Sequence, residues 1–430
     1  MNKSKVWLKL RESFWFMPAV YSIITLFLIV LISLTDTFIA SLLKEETLKK
    51  LMIEKDTAKK IYSTLVTAIL TMTTLSFSVI MVVLTTYASQ FSPRILQNFM
   101  QSKFTRHVLG VYCSGFISAL LLLFFVDHSQ PLMGPVIMVV IALINLAAFV
   151  YFIHHSSRFL QVNNLIDLLK SEGSLAIKQL YEKKQPFLQY HHWDEQALRS
   201  IKSQKYQMIK SQASGYIQTI NWKGLVNWAK KHDLVIELHV EPGNYVPKKY
   251  DIMTIWGTDD VESNLHSYFV VGNERSDVQD FEFTIEKLEE IALRAISPST
   301  NDPHTAVNSM NRLGILLTEL GACYEDTPYL ADQEDQLRII HRPISFDEYL
   351  YKTFYEIRNY GQNDVSVLYG ILNVLYKIAV VSQPKIKQKV WHFHYYIMEV
   401  IKWDELSELD KNHLQDVYHR LKASCQQVES

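Results

Sequence analysis

"IYSTLVTAILTMTTLSFSVIMVVLTT", residues 61–86, is the stretch that decides the fold. No charged residue interrupts the chain between Lys60 and Arg94. A hydrocarbon core about 30 Å thick is crossed by roughly 20 apolar residues of helix, so this run reads as a membrane span. Three more runs have the same character: Phe14–Leu34, His107–Val126 and Leu132–Ile153. The last two are separated by the short "DHSQP", which predicts a tight antiparallel hairpin. A secretory signal is a poor reading of the basic N-terminus, because the apolar run behind it is too long and has no small-residue cleavage site.

The net charge of −1 hides a split. Residues 1–160 are basic and the remainder is acidic, and the basic residues cluster beside the apolar runs, as expected at a membrane surface. No basic stripe in the acidic part suits a phosphate backbone, so nucleic acid is not an expected partner. Cys113, Cys323 and Cys425 are far apart and form no CxxC pair or disulfide framework, which fits a reducing compartment for the soluble part. Lys3, Lys5, Lys9 and Arg11 precede the first span, Arg94, Lys103 and Arg106 follow the second, and "DHSQP" has no base. The positive-inside rule then sets both termini and the 87–106 connection in the cytoplasm. The lysine-rich segment 36–60 argues the other way. Moving it would put the acid-free 87–106 segment outside, which is worse. Within that segment Ser92 and Pro93 start a short helix whose Ile95, Leu96, Phe99 and Met100 share a face. Such a helix suits the inner interface, or packing on the bundle.

In the second run Thr64, Thr67, Thr71, Thr74, Ser78 and Thr85 recur at steps of three and four, with Met81 filling the gap. That spacing places them on one helix face. One reading is a close-packed helix–helix seam of small hydroxyl residues. The other is a pore lining in a symmetric homo-oligomer, with Thr64, Thr67, Thr71, Thr74 and Ser78 as the candidates. No Asp, Glu, Lys or Arg lies within a span, which argues against a proton relay or voltage sensor.

Beyond the spans the chain changes character. Four regions are expected: a transmembrane domain over 1–160, a helical connector over 161–212, a small β-rich barrel-like domain over 213–275 and a helical cytosolic domain over 276–430. The expected fold class is thus an α-helical membrane protein with four transmembrane helices plus a mixed α+β cytosolic region. "GYIQTI" is a strand, "NWKGLVNWAKKHD" a helix capped by Asn221, and "LVIELHV" a half-buried strand ahead of the turn "EPGN". The V-x-P-G-x-x-V cadence there resembles the hairpins of biotinyl- or lipoyl-type barrels. It has no lysine at the carrier position, so no cofactor is implied. Glu237, His239 and Glu241 share one strand face that reads as solvated.

"ALRAISPSTNDPHTA", residues 292–306, is a polar knot between two helical patterns. Pro298 ends the first helix at Ser297, and Asp302 caps the second with Pro303 at its first position. The knot is first a sharp corner. A helix start also attracts anions, which makes Arg294, Asn301, Asp302, His304, Asn308 and Arg312 candidate ligand-binding residues. Further on, "SFDE" from Ser345 opens a helix ending at Gly361, Asp364 starts the next, and two more follow in 385–404 and 407–424. No P-loop, HExxH, GxSxG or zinc spacing is present, so neither an enzyme nor a metal site is expected. His154-His155, His191-His192 and His392/His394 read as interfacial or surface histidines.

"SFSVIMVVLTTYASQFSPRIL", "DLVIELHVEPGNYV" and "QDFEFTIEKLEEIALRAISPSTNDPHTAVNSMNRLG" together resemble an uncharacterised bacterial family of predicted integral membrane proteins. Its pattern runs QFSPR, PGxxV, QDxxFG and ALSPGxNDPxTA. Thr284 and Ser299 stand here where glycine is usual. The resemblance implies an inner-membrane protein with a large cytosolic part and carries no activity. The expected partners are membrane lipids and further copies of the chain. Function is expected to be that of a homo-oligomeric channel or gated pore with a regulatory cytosolic domain, or else of a membrane-anchored sensor or scaffold that binds a ligand or protein.

Overall fold

A computed structural model of the chain describes residues 15–42, 53–90, 103–127, 134–159, 161–178, 189–190, 195–260, 265–276, 279–324 and 329–426. They fall into two units, Met1–Asn164 and Leu165–Ser430. The short helix expected after Ser92 and the pair His191-His192 lie outside the described residues.

The first unit is helical: α1 (Phe16–Leu42), α2 (Lys55–Gln90), α3 (Lys103–Phe125) and α4 (Gly134–Phe159). Three stretches among the described residues are long and apolar enough to cross a membrane: Lys55–Val83, Phe104–Phe125 and Gly134–Arg158. In α1 the apolar part is Phe16–Ile32. The helix itself continues to Leu42. The α3 helix packs against the other three. Ala58, Tyr62 and Ile69 of α2, Ala119 of α3 and Met138 of α4 form the shared core. Small residues let the backbones approach: a Cβ on Gly110 would lie 2.7 Å from the Tyr21 ring, and Gly115 faces the fully buried Asn145. At one end of the bundle Lys59 pairs with Asp127 at 2.7 Å and Lys55 donates to the Asp127 carbonyl. Two lysines of the discordant 36–60 segment are thereby tied to the hairpin loop, which carries no base.

The second unit begins in α5 (Val162–Ile177), whose Leu165, Ile166, Leu169 and Ile177 are buried. Two sheets follow, with a short α6 (Glu195–Lys202) between their first and second strands. The strands are β1 (Gln189–Tyr190), β2 (Tyr206–Lys210), β3 (Gly215–Ile220), β4 (Val235–Leu238), β5 (Tyr245–Val246), β6 (Asp251–Trp256), β7 (Phe269–Gly272), β8 (Tyr329–Ala331) and β9 (Leu337–Ile340). A six-stranded sheet runs β1-β8-β9-β4-β6-β2 and a three-stranded sheet β5-β3-β7. The larger one is mixed: Ile236 stands opposite Ile339 in the parallel pair β4–β9 and opposite Ile255 in the antiparallel pair β4–β6. Leu225, Val226 and Ala229 of α7 (Trp222–His232) close one core with Ile217, Ile236, Met253 and Ile339 from both sheets.

Two expectations are corrected here. The V-x-P-G-x-x-V turn does not join two strands of one barrel, because β4 and β5 belong to different sheets. The cadence specifies a tight glycine turn, and a turn can hand the chain from one sheet to another. The β-rich region is also wider than 213–275. It recruits β8 and β9 from beyond the next two helices.

Those helices, α8 (Phe281–Ile296) and α9 (Pro303–Cys323), form an antiparallel pair. After β9 come α10 (Phe346–Gly361), α11 (Val365–Val381), α12 (Pro384–Met398) and α13 (Glu408–Gln426). Caps fall where short polar side chains precede apolar periodicity. Asn221 accepts from the Gly224 amide, Ser345 from Glu348, and Asp364 from Ser366 and Val367.

Candidate functional site

Three places bear on function. The first is the outer face of α2. Thr64, Thr67, Thr71, Thr74, Ser78 and Thr85 are all exposed in the single chain, while Ala58, Tyr62, Ile69, Ser76, Ile80 and Val83 on the opposite face are buried. The stripe is therefore not a seam within the chain. Its hydroxyls donate to their own helix: Thr67 to the Ser63 carbonyl at 3.1 Å, Thr71 to Thr67 at 2.8 Å, Thr74 to Leu70 at 3.0 Å and Ser78 to Thr74 at 3.0 Å. Such back-bonding satisfies the donor and leaves the oxygen lone pairs turned outward.

The second is the α8–α9 corner. Asp302 caps α9, accepting from the Thr305 amide at 3.1 Å and its hydroxyl at 2.6 Å. Those two bonds hold its carboxyl below the usual carboxylate range. Ser297 closes α8, and Asn301 sits at φ +48°, a left-handed conformation that asparagine tolerates. The Asp302 amide returns to the Ala295 carbonyl at 2.8 Å. Of the candidate residues, Arg294, Asn301 and His304 are exposed, while Asn308 is half-buried. Arg312 is turned away to Asp167 of α5, at 2.9 Å. The corner thus brings Asn301, Asp302 and His304 together and commits Arg312 elsewhere.

The third place drew no candidate from the sequence. It surrounds the Glu241–Asn244 turn, where the PG and QD segments meet. Gly243 adopts φ +94°, and a Cβ there would fall 2.5 Å from Oδ2 of Asp280. Asp280 is buried, caps α8 through the Phe283 amide, and receives Nε and Nη2 of Arg275 at 2.7 and 2.8 Å. Glu286 takes the remaining fork of Arg275. Burial opposes the charge on Arg275, but its bonds to Asp280 and Glu286 prevail and raise it above the ordinary arginine range. Gln279 clasps β3, its side-chain Oε1 accepting from the Ile220 amide at 2.9 Å. The QD pair thus pins a helix start to a strand and to a turn.

On the other side of that turn Glu241 accepts from Nδ1 of His341 at 3.1 Å, and Trp222 stacks obliquely on the imidazole. The carboxylate fixes the proton on Nδ1. The Nε2 atom is buried with no hydrogen-bond partner. Glu237 binds Lys202 and the Trp256 indole, and His239 meets the Thr254 hydroxyl at 2.8 Å. On the strand face expected to be solvated, Glu237 and Glu241 are half-buried in specific pairs, while His239 is exposed.

Along α8, Glu289 is buried with one oxygen unpaired, and burial together with Glu356, Glu286 and Glu290 pushes its carboxyl up to about 9. Thr284, at a position where the resembled family has glycine, is fully buried with its hydroxyl unpaired. Gly173 of α5 faces its methyl group and leaves room for it. Among the histidine pairs, His154 is exposed, but His394 is buried against Trp391, whose carbonyl it meets. The expectation of a surface residue fails there because α13 covers that face of α12.

The family described as "Predicted membrane protein (DUF2254)" matches residues 11–377. An uncharacterized protein of Mycobacterium tuberculosis (strain CDC 1551 / Oshkosh) is 25% identical over 319 residues, covering 70% of this chain and 60% of that protein. An uncharacterized protein of Mycobacterium bovis (strain ATCC BAA-935 / AF2122/97) matches to the same extent. The alignment thus spans less than two thirds of these relatives' length. No solved structure matches the chain.

Proposed function

The chain belongs to this family of predicted membrane proteins, and we propose that it is a homo-oligomeric channel or gated pore of the inner membrane. In this reading it has four spans with both termini in the cytoplasm, α2 lies near the oligomer axis, and the second unit is a cytosolic regulator. It needs no cofactor, performs no enzymatic reaction and engages lipids rather than nucleic acid. The observation that carries the reading is the sidedness of α2. One face, with Ala58, Tyr62, Ile69, Ile80 and Val83, is buried inside the chain, and the exposed side carries the hydroxyl stripe flanked by Leu70, Leu75, Phe77, Met81 and Val82. Hydroxyls gain nothing from lipid, whereas outward lone pairs can partly replace water around a permeating solute.

Thr71→Val tests this, because it keeps the shape and removes the hydroxyl. Liposomes holding wild-type protein should pass an ion or small solute under voltage, tension or a pH step, and Thr71→Val should reduce that flux by dewetting. Absence of flux from well-folded wild type would overturn the channel. One observation favours the alternative, a membrane-anchored sensor or scaffold. The back-bonded hydroxyls are already satisfied, so α2 is able to face lipid without a partner.

A further inference from the structure

We propose that the second unit docks on an anionic phospholipid leaflet through the groove between α9 and α11. This goes beyond the channel reading and holds for a sensor equally. The groove encloses about 240 Å³ and is walled by Ile315, Val374 and Val381, with Gly314 at its floor. Ile315, Val380 and Val381 are 42%, 48% and 65% exposed. The α11 helix, "VSVLYGILNVLYKIAVV", is an apolar segment shorter than a span, and its last two valines are left uncovered.

The charges around this tip select the occupant. Residues 161–430 are acid-rich as a whole, yet the exposed charges flanking the valines are Lys377 and Lys385. Lys377 leans on the Asn311 amide oxygen at 2.8 Å, and the acid lining the groove, Glu319, is neutralised by Lys170 at 2.8 Å. Valines flanked by two lysines match an interface where acyl chains lie under anionic headgroups. A second copy fits less well. Three half-exposed aliphatic side chains offer at most a few hundred Å², against roughly 800 Å² per partner in a standard interface. A unit already tethered to the bilayer needs only a weak contact, because the tether supplies a high effective concentration.

The test uses the full chain in nanodiscs, with Cys113, Cys323 and Cys425 replaced by serine and an environment-sensitive fluorophore on Val381→Cys. Both disc faces carry the same lipids, so the result is independent of which side the second unit occupies and of whether the protein conducts. In discs containing phosphatidylglycerol, nitroxide-bearing lipid should quench the probe. A probe on Tyr360→Cys, also exposed, should not respond. Lys377→Gln and Lys385→Gln should each weaken docking about fivefold. Hydrogen exchange on the unmodified chain gives a second readout: residues 374–387 should be protected in anionic discs relative to phosphatidylcholine discs. Equal quenching at both probe sites, equal behaviour in the two lipids, or a Val381→Cys disulfide between copies would each overturn the proposal.

Discussion

Gly243 and Asp280 stand so close that glycine is required at the turn: any Cβ would enter the carboxylate that Arg275 holds in place. The left-handed φ of +94° adds backbone strain for any other residue. Gly243→Ala should therefore destabilise the second unit by about 2–4 kcal/mol. Denaturant unfolding of purified protein, followed by tryptophan emission, measures it. A change below about 0.5 kcal/mol, the range of ordinary surface substitutions, would mean that the turn relaxes away from Asp280.

Glu289 predicts a pH dependence. Its folded carboxyl titrates near 9 against an ordinary 4.5, so between those values the native state holds a proton that the unfolded chain releases. Stability must then fall as pH rises through that window, by up to about 1.4 kcal/mol per pH unit from this group alone. Glu289→Gln removes the titration, and its advantage over wild type should widen from pH 5 to pH 9. Parallel stability curves for the two proteins would show that Glu289 is ionised in the fold.

Asp302 works in the opposite sense. Its carboxyl is held low by Thr305, so the stability it contributes is present above the ordinary carboxylate range and is lost as pH falls through its folded value. At neutral pH Asp302→Ala should cost about 0.5–2 kcal/mol, the usual value of an N-cap. Unchanged stability together with a lost phenotype would move weight from a structural corner to a ligand site.

Topology is testable by labelling. With both termini inside, an impermeant thiol reagent added from outside should reach a cysteine placed at Ser129 and miss one at Asn98. Labelling at Asn98 alone would invert the arrangement.

Much of the second unit's local structure is legible in the sequence because local physics writes it. Asn221, Asp302, Ser345 and Asp364 each sit ahead of a helix whose first amides they accept. "GYIQTI" is β3 residue for residue. What escapes is whatever depends on distant partners. Ile236 meets Ile339 across a hundred positions, and nothing in the turn after β4 says that β5 belongs to another sheet. The same holds for the sites. His341 acquires interest only because folding brings Glu241 to its Nδ1, and Glu289 only because α10 brings Glu356 alongside it. Asp280 alone left a trace, in the QD segment that precedes an apolar run.

The parallel pairing of β4 with β9 sets an order of events during synthesis. Until residues 337–340 leave the ribosome, β4 has an unsatisfied edge, and by then both α8 and α9 are already outside. The α8–α9 pair, built from neighbours in sequence, can form first, and the sheet must then close around it over a long loop. Long-range pairing of that kind is slow and leaves an edge open to wrong partners. A chain stopped at residue 275 would keep β4 and β6 but never receive β9. The β-rich segment and the helices after it therefore mature as one cooperative unit, and trimming either should yield aggregation rather than a smaller domain.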